Sequence, residues 1–564
     1  MKRFEEFVFN ILGSNGKQWL VIVLTLLALV GSVMMLPTKV VLAKMLPGKS
    51  ANTFSVYVHT PTGSSIEQTR AVSECVTGIL RHEKEVTDIE SYLGQGAPLD
   101  YAGLVKGSQF KNSENEAEIV VNLTDKHERE EPSFMMVHRL RPTIKANCEK
   151  VVPGTVIEMV EQPAGPPTQA AIVAELYGRD YKELRKLAER VADIFRHTEG
   201  LVDIDVKADD PYTKFELIPN SDKISRSGLS VEQVNKILYL AFEGMVVAHK
   251  NSKDYPDQIG LFVRLDEATR RLAKKSREAL DVKLAQLKLM NKKGMLVPVS
   301  ELVDVKEVEA SPMIMQKDLR RMIAVTAEAD MVSQVYPLLD ARSKIMEKFA
   351  KDFDVETTDY LFNLRFKDKK SGKVFDLKWD GEMKVTLDTF RDLGAAFIAA
   401  LVLIFLLLVI YYKNFTISAI VLAGSFLSII GVIVGHWVAD LVTTYTFFLT
   451  ATSLIGFIAL MGISSRNSLL LIDFAKALML EKGFDKQHAI ATATATRAKP
   501  IMLTAIAIIL GSALLASDPI FGGLGVALIS GTVAAVIVSL IFIPVLMYRA
   551  KAMDPQTLKE LQEL

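Results

Sequence analysis

The sequence predicts an α-helical bundle of six membrane spans that carries one large α+β domain outside the membrane. The first observation is a set of apolar runs without charged residues, each close to the roughly 20 residues that a helix needs to cross a bilayer. These runs are Trp19–Leu36, Ala395–Tyr412, Phe415–Val434, Thr446–Ser465, Ile501–Ser517 and Leu524–Tyr548. The second observation is the block from Pro37 to Asp392, which is charged and rich in turn-forming residues. The net charge of zero is therefore an average over two very different compositions.

The first apolar run is interpreted as a retained span. It is longer than the apolar core of a secretory signal, and no cleavage site of the small-x-small type follows it before "LPTKVVLAKMLPG".

Basic residues in the short loops predict the orientation of the spans. They lie before the first span, between the second and third, between the fourth and fifth, and after the sixth. These residues are Lys2, Arg3, Lys17, Lys413, Lys476, Lys482, Lys486, Arg497, Lys499, Arg549 and Lys551. The opposite short loops, "GHWVAD" and "SDPIFGG", contain no lysine or arginine. The positive-inside rule therefore predicts cytoplasmic termini, with the large domain on the other side of the membrane.

The large domain shows a β-α-β pattern four times. Strand-like alternation in "FSVYVHT" is followed by a helical period in "GSSIEQTRAVSECVTGILRH" and by a returning strand in "VTDIESYLG". The later copies begin with "AEIVVNLT", "AIVAELYG" and "RMIAVTAEA". Four such units predict two ferredoxin-like subdomains of two units each.

An insertion from Lys214 to Asp318 separates the third copy from the fourth, and it contains the basic, helical stretch "EATRRLAKKSREALDVKLAQLK". An extra module inside a repeated pattern suggests a platform for a partner. A decorative insertion is the alternative, and the sequence leaves both open.

Cys75 and Cys148 are the only cysteines, and both fall in the external domain. A disulfide suits a domain outside the cytoplasm. Two small, buried core residues are the other interpretation.

Several of these segments together resemble the C-terminal half of the resistance–nodulation–division (RND) efflux transporters. "KMLPGKSANTFSVYVHTPTGSSIEQT" looks like the start of the second periplasmic loop of that family, and "EQPAGPPTQAAIVAELYG" like the joint between two porter subdomains. "LKWDGEMKV" resembles the segment that leads into the next span. "GISSRNSLLLIDFAKALMLEKG" and "RAKPIMLTAIAIILG" resemble the fourth and fifth spans of that half. The resemblance runs from about Gln18 to Arg549.

The resemblance implies a domain order along the chain. The expected parts are a cytoplasmic lead (1–18), the first span (19–36), porter subdomain 1 (37–165), the first part of porter subdomain 2 (166–213), a docking-like insertion (214–318), the rest of subdomain 2 with a linker (319–391), spans two to six (392–549) and a cytoplasmic tail (550–564). The large domain would then be periplasmic and the protein would lie in the bacterial inner membrane.

The chain departs from the family in one respect: a full transporter has twelve spans and two periplasmic loops, and this sequence shows six spans and one loop. It is therefore expected to act as half of a transporter, together with a separate polypeptide that supplies the N-terminal half. A periplasmic adaptor, an outer-membrane channel and membrane lipid are the other expected partners, and no nucleic acid is expected.

Arg466 is the central candidate because it interrupts the apolar run "LIGFIALMGISSRNSLLLIDFA". An unpaired arginine in hydrocarbon costs several kcal/mol or more. The resemblance places it where the family keeps a buried cation in its proton relay. Arginine stays protonated, so a carboxylate beside it must carry the transported proton. In the family that acid is an aspartate pair on a span of the N-terminal half.

The chain offers no evident carboxylate of its own at that depth. Asp440 and Asp518 fall in external loops, and Asp392 precedes the second span. Asp473 follows Arg466 by seven residues, which places it roughly 10 Å nearer the cytoplasm, and it is interpreted as an interfacial residue. The partner of Arg466 is therefore expected on another polypeptide. The alternative is that Arg466 snorkels to the interface along a tilted helix.

Three further residues complete the predicted proton relay. Asn467 and Thr504 are polar neighbours, and the resemblance matches Thr504 to a hydroxyl on the fifth span of this half. A membrane threonine that bonds its own helix backbone is the alternative. Arg497 matches a basic residue at the cytoplasmic start of that span, with an anchoring or a proton-exit role.

The sequence argues against several other chemistries. The eight histidines show no paired ligand spacing, and no phosphate-binding loop or nucleophile–base set stands out. The protein is therefore expected to be no enzyme and to need no cofactor beyond a proton gradient. Met135, Met136 and Met159 are interpreted as core residues, with metal transport as the less favoured substrate class.

The leading hypothesis is therefore proton-driven efflux of hydrophobic or amphiphilic compounds by the C-terminal half of an RND multidrug-type pump. One alternative is a six-span secretion accessory of the same superfamily. Another is a truncated pump without activity.

Overall fold

The computed structural model describes residues 2–272, 276–359 and 363–563. The chain divides into two compact units, one formed by Met1–Ala208 with Ile314–Leu564 and the other by Asp209–Met313. The parts of the predicted segments at residues 1, 273–275, 360–362 and 564 lie outside the described residues.

The described helices and strands are numbered in chain order. The helices are α1 (Lys2–Leu12), α2 (Asn15–Met34), α3 (Ile66–Leu80), α4 (Gly103–Lys106), α5 (Ser133–Cys148), α6 (Tyr181–Arg196), α7 (Ser221–Arg226), α8 (Val231–Leu238), α9 (Glu267–Arg270), α10 (Arg277–Gln286), α11 (Val335–Phe349), α12 (Glu382–Tyr412), α13 (Phe415–Leu427), α14 (Ile429–Val442), α15 (Ala451–Leu480), α16 (Lys486–Ala516), α17 (Gly522–Ile537), α18 (Ile543–Arg549) and α19 (Pro555–Glu563). The strands are β1 (Thr53–His59), β2 (Val86–Leu93), β3 (Glu116–Leu123), β4 (Val156–Val160), β5 (Ile172–Tyr177), β6 (Leu201–Lys207), β7 (Thr213–Pro219), β8 (Met245–Lys250), β9 (Ile259–Val263), β10 (Lys288–Met290), β11 (Leu296–Pro298), β12 (Val303–Glu309), β13 (Gln316–Lys317), β14 (Arg320–Ala329), β15 (Phe353–Thr357), β16 (Leu364–Asp368) and β17 (Val374–Asp380).

Six helical segments of the described chain are long and apolar enough to cross a membrane, which confirms the predicted number of spans. They are α2, α12, the pair α13–α14, α15, α16, and α17–α18 with the π-helical turn Val538–Phe542 between them. The helices are longer than the apolar runs, because polar residues continue the helix beyond the hydrocarbon. Thus α12 begins at Glu382, and α15 ends at Leu480, just before Gly483 with its φ of +70°.

Close helix contacts in the bundle depend on glycine. A Cβ on Gly431 would clash with the Ser530 carbonyl oxygen, so α14 and α17 pack backbone against backbone at this point. The segment before the first span is also helical, since Val8 and Leu12 of α1 are buried in the bundle core. The Thr492 hydroxyl of α16 donates to the Glu5 carboxylate of α1 at 2.6 Å.

The first sheet module comprises β1 to β4 with α3 to α5. Its sheet has the order β2-β3-β1-β4 with antiparallel neighbours, and α3 and α5 bury their apolar sides on it. The α3 helix begins at a capping box formed by Ser65 and Gln68. Cys75 of α3 and Cys148 of α5 form a disulfide, with their Cα atoms 5.6 Å apart. The structure therefore decides between the two interpretations of these cysteines.

The second sheet module comprises β5, β6 and β13 to β17 with α6 and α11. Its strand order is β13-β14-β5-β17-β16-β15, and β6 pairs with β14. The sequence pattern did not predict the hairpin β16–β17, which separates β15 from β5. Trp379 in the segment "LKWDGEMKV" belongs to β17 and is buried in this core, and α12 follows directly after Gly381.

The unit Asp209–Met313 has its own core, which includes Val234, Leu284, Val299 and Leu302. Its strands form the pairs β7–β12, β8–β9 and β10–β11. The predicted basic helix is interrupted, because Arg271 is extended with φ −66° and ψ 129° between α9 and α10.

Removal of the disulfide is expected to destabilise the first sheet module. The two cysteines are 73 residues apart, so the double variant Cys75→Ala/Cys148→Ala should lose roughly 4 kcal/mol of unfolding free energy from the lost constraint on the unfolded chain. The loss is measured by denaturant unfolding, with proteolytic cleavage within β1 to β4 as the readout. Dithiothreitol should produce the same shift in the parent protein and none in the variant. Equal stability of parent and variant would show that the bridge does not constrain this module.

Candidate functional site

Helix α15 positions the main candidate residue. The helix begins where the Thr450 hydroxyl accepts the Ser453 N–H in a capping box, and it contains 30 residues. One side of it is buried: a Cβ on Gly456 would lie 3.0 Å from the Cβ of Ala527 in α17. The other side is an open stripe, which we define as Ile455, Ala459, Gly462, Arg466, Leu470 and Asp473; all six residues are exposed or partly exposed.

Arg466 lies at the middle of α15 on the open stripe. Among the residues that the structure describes, no carboxylate forms an ion pair with its guanidinium and no group forms a hydrogen bond with it. A cation in the centre of an apolar helix therefore faces outward from this bundle. This geometry requires a partner outside the described part of the chain, or movement of the side chain to the interface.

Asn467 points the other way and is 4% exposed. Its neighbour Ser468 packs against α13, where a Cβ on Gly424 would lie 2.8 Å from the Ser468 Oγ atom. One turn earlier, Ser465 and Ser425 of α13 share a hydrogen bond of 2.7 Å. These contacts fix the rotation of α15, so that Arg466 is held on the open side.

The two relay candidates on α16 are not joined to Arg466 by hydrogen bonds in the described structure. Thr504 is exposed, and its hydroxyl donates to the carbonyls of Pro500 at 3.2 Å and Ile501 at 2.9 Å in its own helix. The Arg497 guanidinium lies over the Phe474 ring of α15 at 4.8 Å. A proton-relay role for Asn467, Thr504 and Arg497 stays a prediction.

The structure adds two residues that sequence reasoning missed, Tyr411 and Tyr412. Asp473 accepts hydrogen bonds from the hydroxyls of Tyr412 at 2.9 Å and Tyr411 at 3.4 Å, both in the last turn of α12. The spacing of seven residues from Arg466 was visible in the sequence. The tyrosines were not, because 61 residues separate Tyr412 from Asp473.

The two sheet modules meet through charges rather than through a shared apolar core. The core of the first module and that of the second contain different residues. Arg141 of α5 donates to Asp203 of β6 at 3.2 Å and to Asp330, after β14, at 2.7 Å. Interfaces of this polar type permit relative motion of the parts they join.

Two further ion pairs cross the same interface. Lys207 of β6 contacts Glu158 of β4 at 2.8 Å, and Lys106 of α4 contacts Glu328 of β14 at 2.6 Å. Asp203 is fully enclosed there: it also accepts the Met159 N–H at 3.1 Å, and its backbone adopts a φ of +51°.

A cavity of about 140 Å³ lies between the modules and the start of α12. Its wall combines apolar groups, such as Leu46 and Met159, with charged groups such as Lys44, Glu161 and Glu382. Burial raises the pKa of the Glu161 carboxyl to about 7, and the nearby Arg141 and Lys44 oppose this rise. Such a carboxyl changes charge near neutral pH inside a cleft.

The sheet modules are also connected to the spans. The Gln334 side chain, at the start of α11, donates to the Thr386 hydroxyl of α12 at 3.0 Å. The Tyr336 hydroxyl donates to the Leu36 carbonyl just after α2 at 3.1 Å. The Leu449 N–H before α15 donates to the Leu42 carbonyl at 2.8 Å. A shift of α12 would therefore reach the second module directly, and a shift of α15 would reach the segment between α2 and β1.

The fold and the site define a multi-pass membrane protein in which spans and a two-module sheet domain are mechanically linked. The family model described as AcrB/AcrD/AcrF family matches residues 2–551. The chain belongs to this family of RND transporters.

Individual relatives agree with that assignment. The chain is 22% identical over 540 residues to the swarming motility protein SwrC of Bacillus subtilis (strain 168), with 94% of this chain and 45% of SwrC covered. It is 22% identical over 566 residues to the multidrug export protein AcrF of Escherichia coli (strain K12), with 97% and 48% covered. It is 21% identical over 388 residues to the cobalt-zinc-cadmium resistance protein CzcA of Cupriavidus metallidurans, with 68% and 34% covered. The chain thus spans about half the length of the curated relatives SwrC and AcrF.

The fold matches a solved heavy metal efflux pump (crystal form II) with a TM-score of 0.70 and 19% sequence identity. The match covers 97% of this chain and 51% of that one. At this identity the likeness shows the fold alone.

The raised pKa of Glu161 predicts a pH-dependent stability of the first module. The folded protein holds this proton up to about pH 7, whereas the ordinary pKa is 4.5. Unfolding therefore releases a proton between these two values, and the free energy of unfolding falls as pH rises through that window. Glu161→Gln should flatten this fall, as measured by hydrogen exchange of the β4 amides after correction for intrinsic rates. The exposed Glu128→Gln is the matched control; identical pH profiles for the two variants would contradict the assignment.

Proposed function

We propose that this chain is the C-terminal half of an RND pump that uses the proton-motive force to export hydrophobic or amphiphilic compounds. The observation that carries the proposal is Arg466, an arginine at the centre of α15 that faces outward on the open stripe. A cation at that depth is stabilised by a carboxylate, and the described residues provide none within ion-pair distance. The complementary surface is a span of an N-terminal half on a separate polypeptide, with carboxylates that face the stripe.

The proposed coupling begins with a change of charge. Protonation of the partner's carboxylate weakens its attraction for Arg466, and deprotonation restores it. The resulting shift of α12 reaches the second sheet module through the Thr386 contact, and that of α15 reaches the segment between α2 and β1 through Leu449. The ionic interface centred on Arg141 then opens or closes around the cavity. Arg466 keeps its charge throughout, so the transported proton resides on carboxylates.

The proposal includes an orientation and a set of partners. The short loops with basic residues lie in the cytoplasm, and the sheet modules lie in the periplasm as ferredoxin-like porter subdomains. The unit Asp209–Met313 is the docking part, which meets an outer-membrane channel, while a periplasmic adaptor encloses the assembly. Membership of the AcrB/AcrD/AcrF family supports this efflux role over a secretion accessory.

Metal-ion efflux is a second candidate function, because Met45, Met159 and Glu161 line the same cavity. Thioether and carboxylate groups are ligands for metal cations. CzcA of Cupriavidus metallidurans, named for cobalt-zinc-cadmium resistance, is among the relatives. Met159→Leu separates the two candidates: it should abolish metal export and leave export of an amphiphilic dye such as ethidium nearly unchanged.

A crosslinking experiment tests the partner. A photoreactive amino acid at Gly462 or Leu470 on the open stripe should crosslink to an apolar segment of another polypeptide that contains carboxylates. The matched control position is Leu403 of α12, which is 66% exposed and lies off the stripe. Crosslinks from the stripe to lipid alone, or only to a second copy of this chain, would refute a complementary half.

Substitution of Arg466 tests the coupling. Arg466→Met should abolish proton-driven export in the assembled pair, and Arg466→Lys should retain a substantial fraction because it keeps a cation. Dye efflux from energised vesicles measures both. The pair must still copurify in the Met variant, so that loss of export reports on coupling and not on assembly. Normal export by Arg466→Met would contradict a relay at this position.

A further inference from the structure

Asp473 is the carboxylate at the far end of the open stripe from the sheet modules. Both of its oxygens are engaged by hydroxyl groups of α12: Oδ1 by Tyr412 at 2.9 Å and Oδ2 by Tyr411 at 3.4 Å. The two tyrosines differ in their surroundings, since Tyr412 is 3% exposed and Tyr411 is 63% exposed. A carboxylate thus connects a buried hydroxyl with one that reaches the outside of the bundle.

The position of Asp473 relative to Arg466 follows from helix geometry. Seven residues correspond to nearly two turns, so the two side chains lie on the same side of α15 about 10 Å apart along the axis. Arg466 occupies the centre of the helix. Asp473 is an acidic residue within a helix that is apolar and long enough to cross the membrane, and such residues are functional candidates.

Two cations contact residues that adjoin Asp473, one from α15 itself and one from α16. Lys476, one turn further along α15, lies over the Tyr412 ring at 5.2 Å. Arg497 of α16 lies over Phe474, the residue next to Asp473. Tyr411 and Tyr412 come from α12, and their rings contact each other at 4.9 Å. None of these cations forms an ion pair with Asp473 within the described residues, so the two tyrosine hydroxyls are its polar contacts there.

We propose that Asp473 is a proton-carrying residue on the cytoplasmic side of Arg466, and that Tyr412 positions its carboxylate; this rests on the proposed function. When the partner's carboxylic acid loses its proton to re-form the pair with Arg466, that proton moves along the stripe through water and binds an oxygen of Asp473. The same proton then leaves to the cytoplasm past the exposed Tyr411 hydroxyl. One proton arrives and one leaves, and no covalent bond or oxidation state changes.

The other role for this group is a structural tie between α12 and α15. The two roles differ in one measurable respect: a tie would affect assembly and stability, whereas a proton carrier affects proton flux and its dependence on pH. Tyr412→Phe separates them, because it keeps the ring under Lys476 and removes only the hydroxyl.

The experiment uses the chain copurified with its complementary half and reconstituted in vesicles that contain the pH dye pyranine. Proton release driven by an imposed gradient is measured for the parent pair, for Asp473→Asn and Asp473→Glu, and for Tyr412→Phe. Glu481→Gln is the matched control, since Glu481 is an exposed carboxylate at the end of the same helix. Copurification of the halves is quantified for every variant.

The expected results are a decrease in proton release of roughly tenfold or more for Asp473→Asn and recovery of a large part by Asp473→Glu. Tyr412→Phe should slow release severalfold and shift the pH at half-maximal rate, and Glu481→Gln should match the parent. Parent-like flux in Asp473→Asn would overturn the inference. Two results together would also overturn the inference: loss of copurification in Asp473→Asn, and parent-like flux and pH profile in Tyr412→Phe. That pattern identifies Asp473 as a structural tie between α12 and α15. A parent pair that copurifies and carries no proton flux would instead refute the proposed function, and this inference with it.

Discussion

The structure depends on one electrostatic constraint: a permanently charged guanidinium in the middle of an apolar helix. Such a charge is usually stabilised by hydration, but the hydrocarbon core of a membrane excludes water. The interior of the bundle is not the solution adopted here, because Asn467, Ser465 and Gly424 fix the rotation of α15 with Arg466 outward. The open stripe is therefore a surface that requires a negatively charged group opposite Arg466. The helix that carries this charge is connected to the other spans and to the extramembrane part of the chain.

The sheet modules and their contacts with the spans are arranged so that small movements of the spans are transmitted. The sheet modules have separate apolar cores and meet through Arg141, Lys207 and Lys106. Polar interfaces of this type are typical of parts that move relative to each other. The enclosed pair Arg141–Asp203 favours a defined arrangement, because separating a buried ion pair is costly. Within each module, by contrast, a packed apolar core gives rigidity, and the first module also contains the Cys75–Cys148 disulfide. Rigid modules, a polar interface and direct hydrogen bonds to the spans are the properties that a mechanical coupling requires.

The sequence predicted the features that depend on local composition. Six spans follow from apolar runs, and Arg466 is conspicuous because it interrupts one of them. The true helix lengths did not follow, because the polar ends of α12 and α16 carry no apolar signal. The hairpin β16–β17 was missed for another reason: its placement between β5 and β15 is a matter of long-range pairing, which periodicity does not encode.

In the candidate site, too, the features within one helix could be predicted from the sequence, and the contacts between helices could not. The residues of one helix, such as Arg466 and Asp473, could be compared by spacing alone. Contacts between helices could not: Tyr412 meets Asp473, and Arg497 meets Phe474, only after the bundle has formed. The alternative for Thr504, a bond to its own helix backbone, is the arrangement in this structure, and a second polypeptide could change it.

The most direct measurement is a cryo-electron microscopy structure of the protein purified from its native membrane without removal of associated chains. We expect a carboxylate of another polypeptide within about 4 Å of the Arg466 guanidinium, at the level of the bilayer centre. A guanidinium neutralised by a carboxylate of this same chain, or bent to a lipid headgroup at the interface, would contradict it.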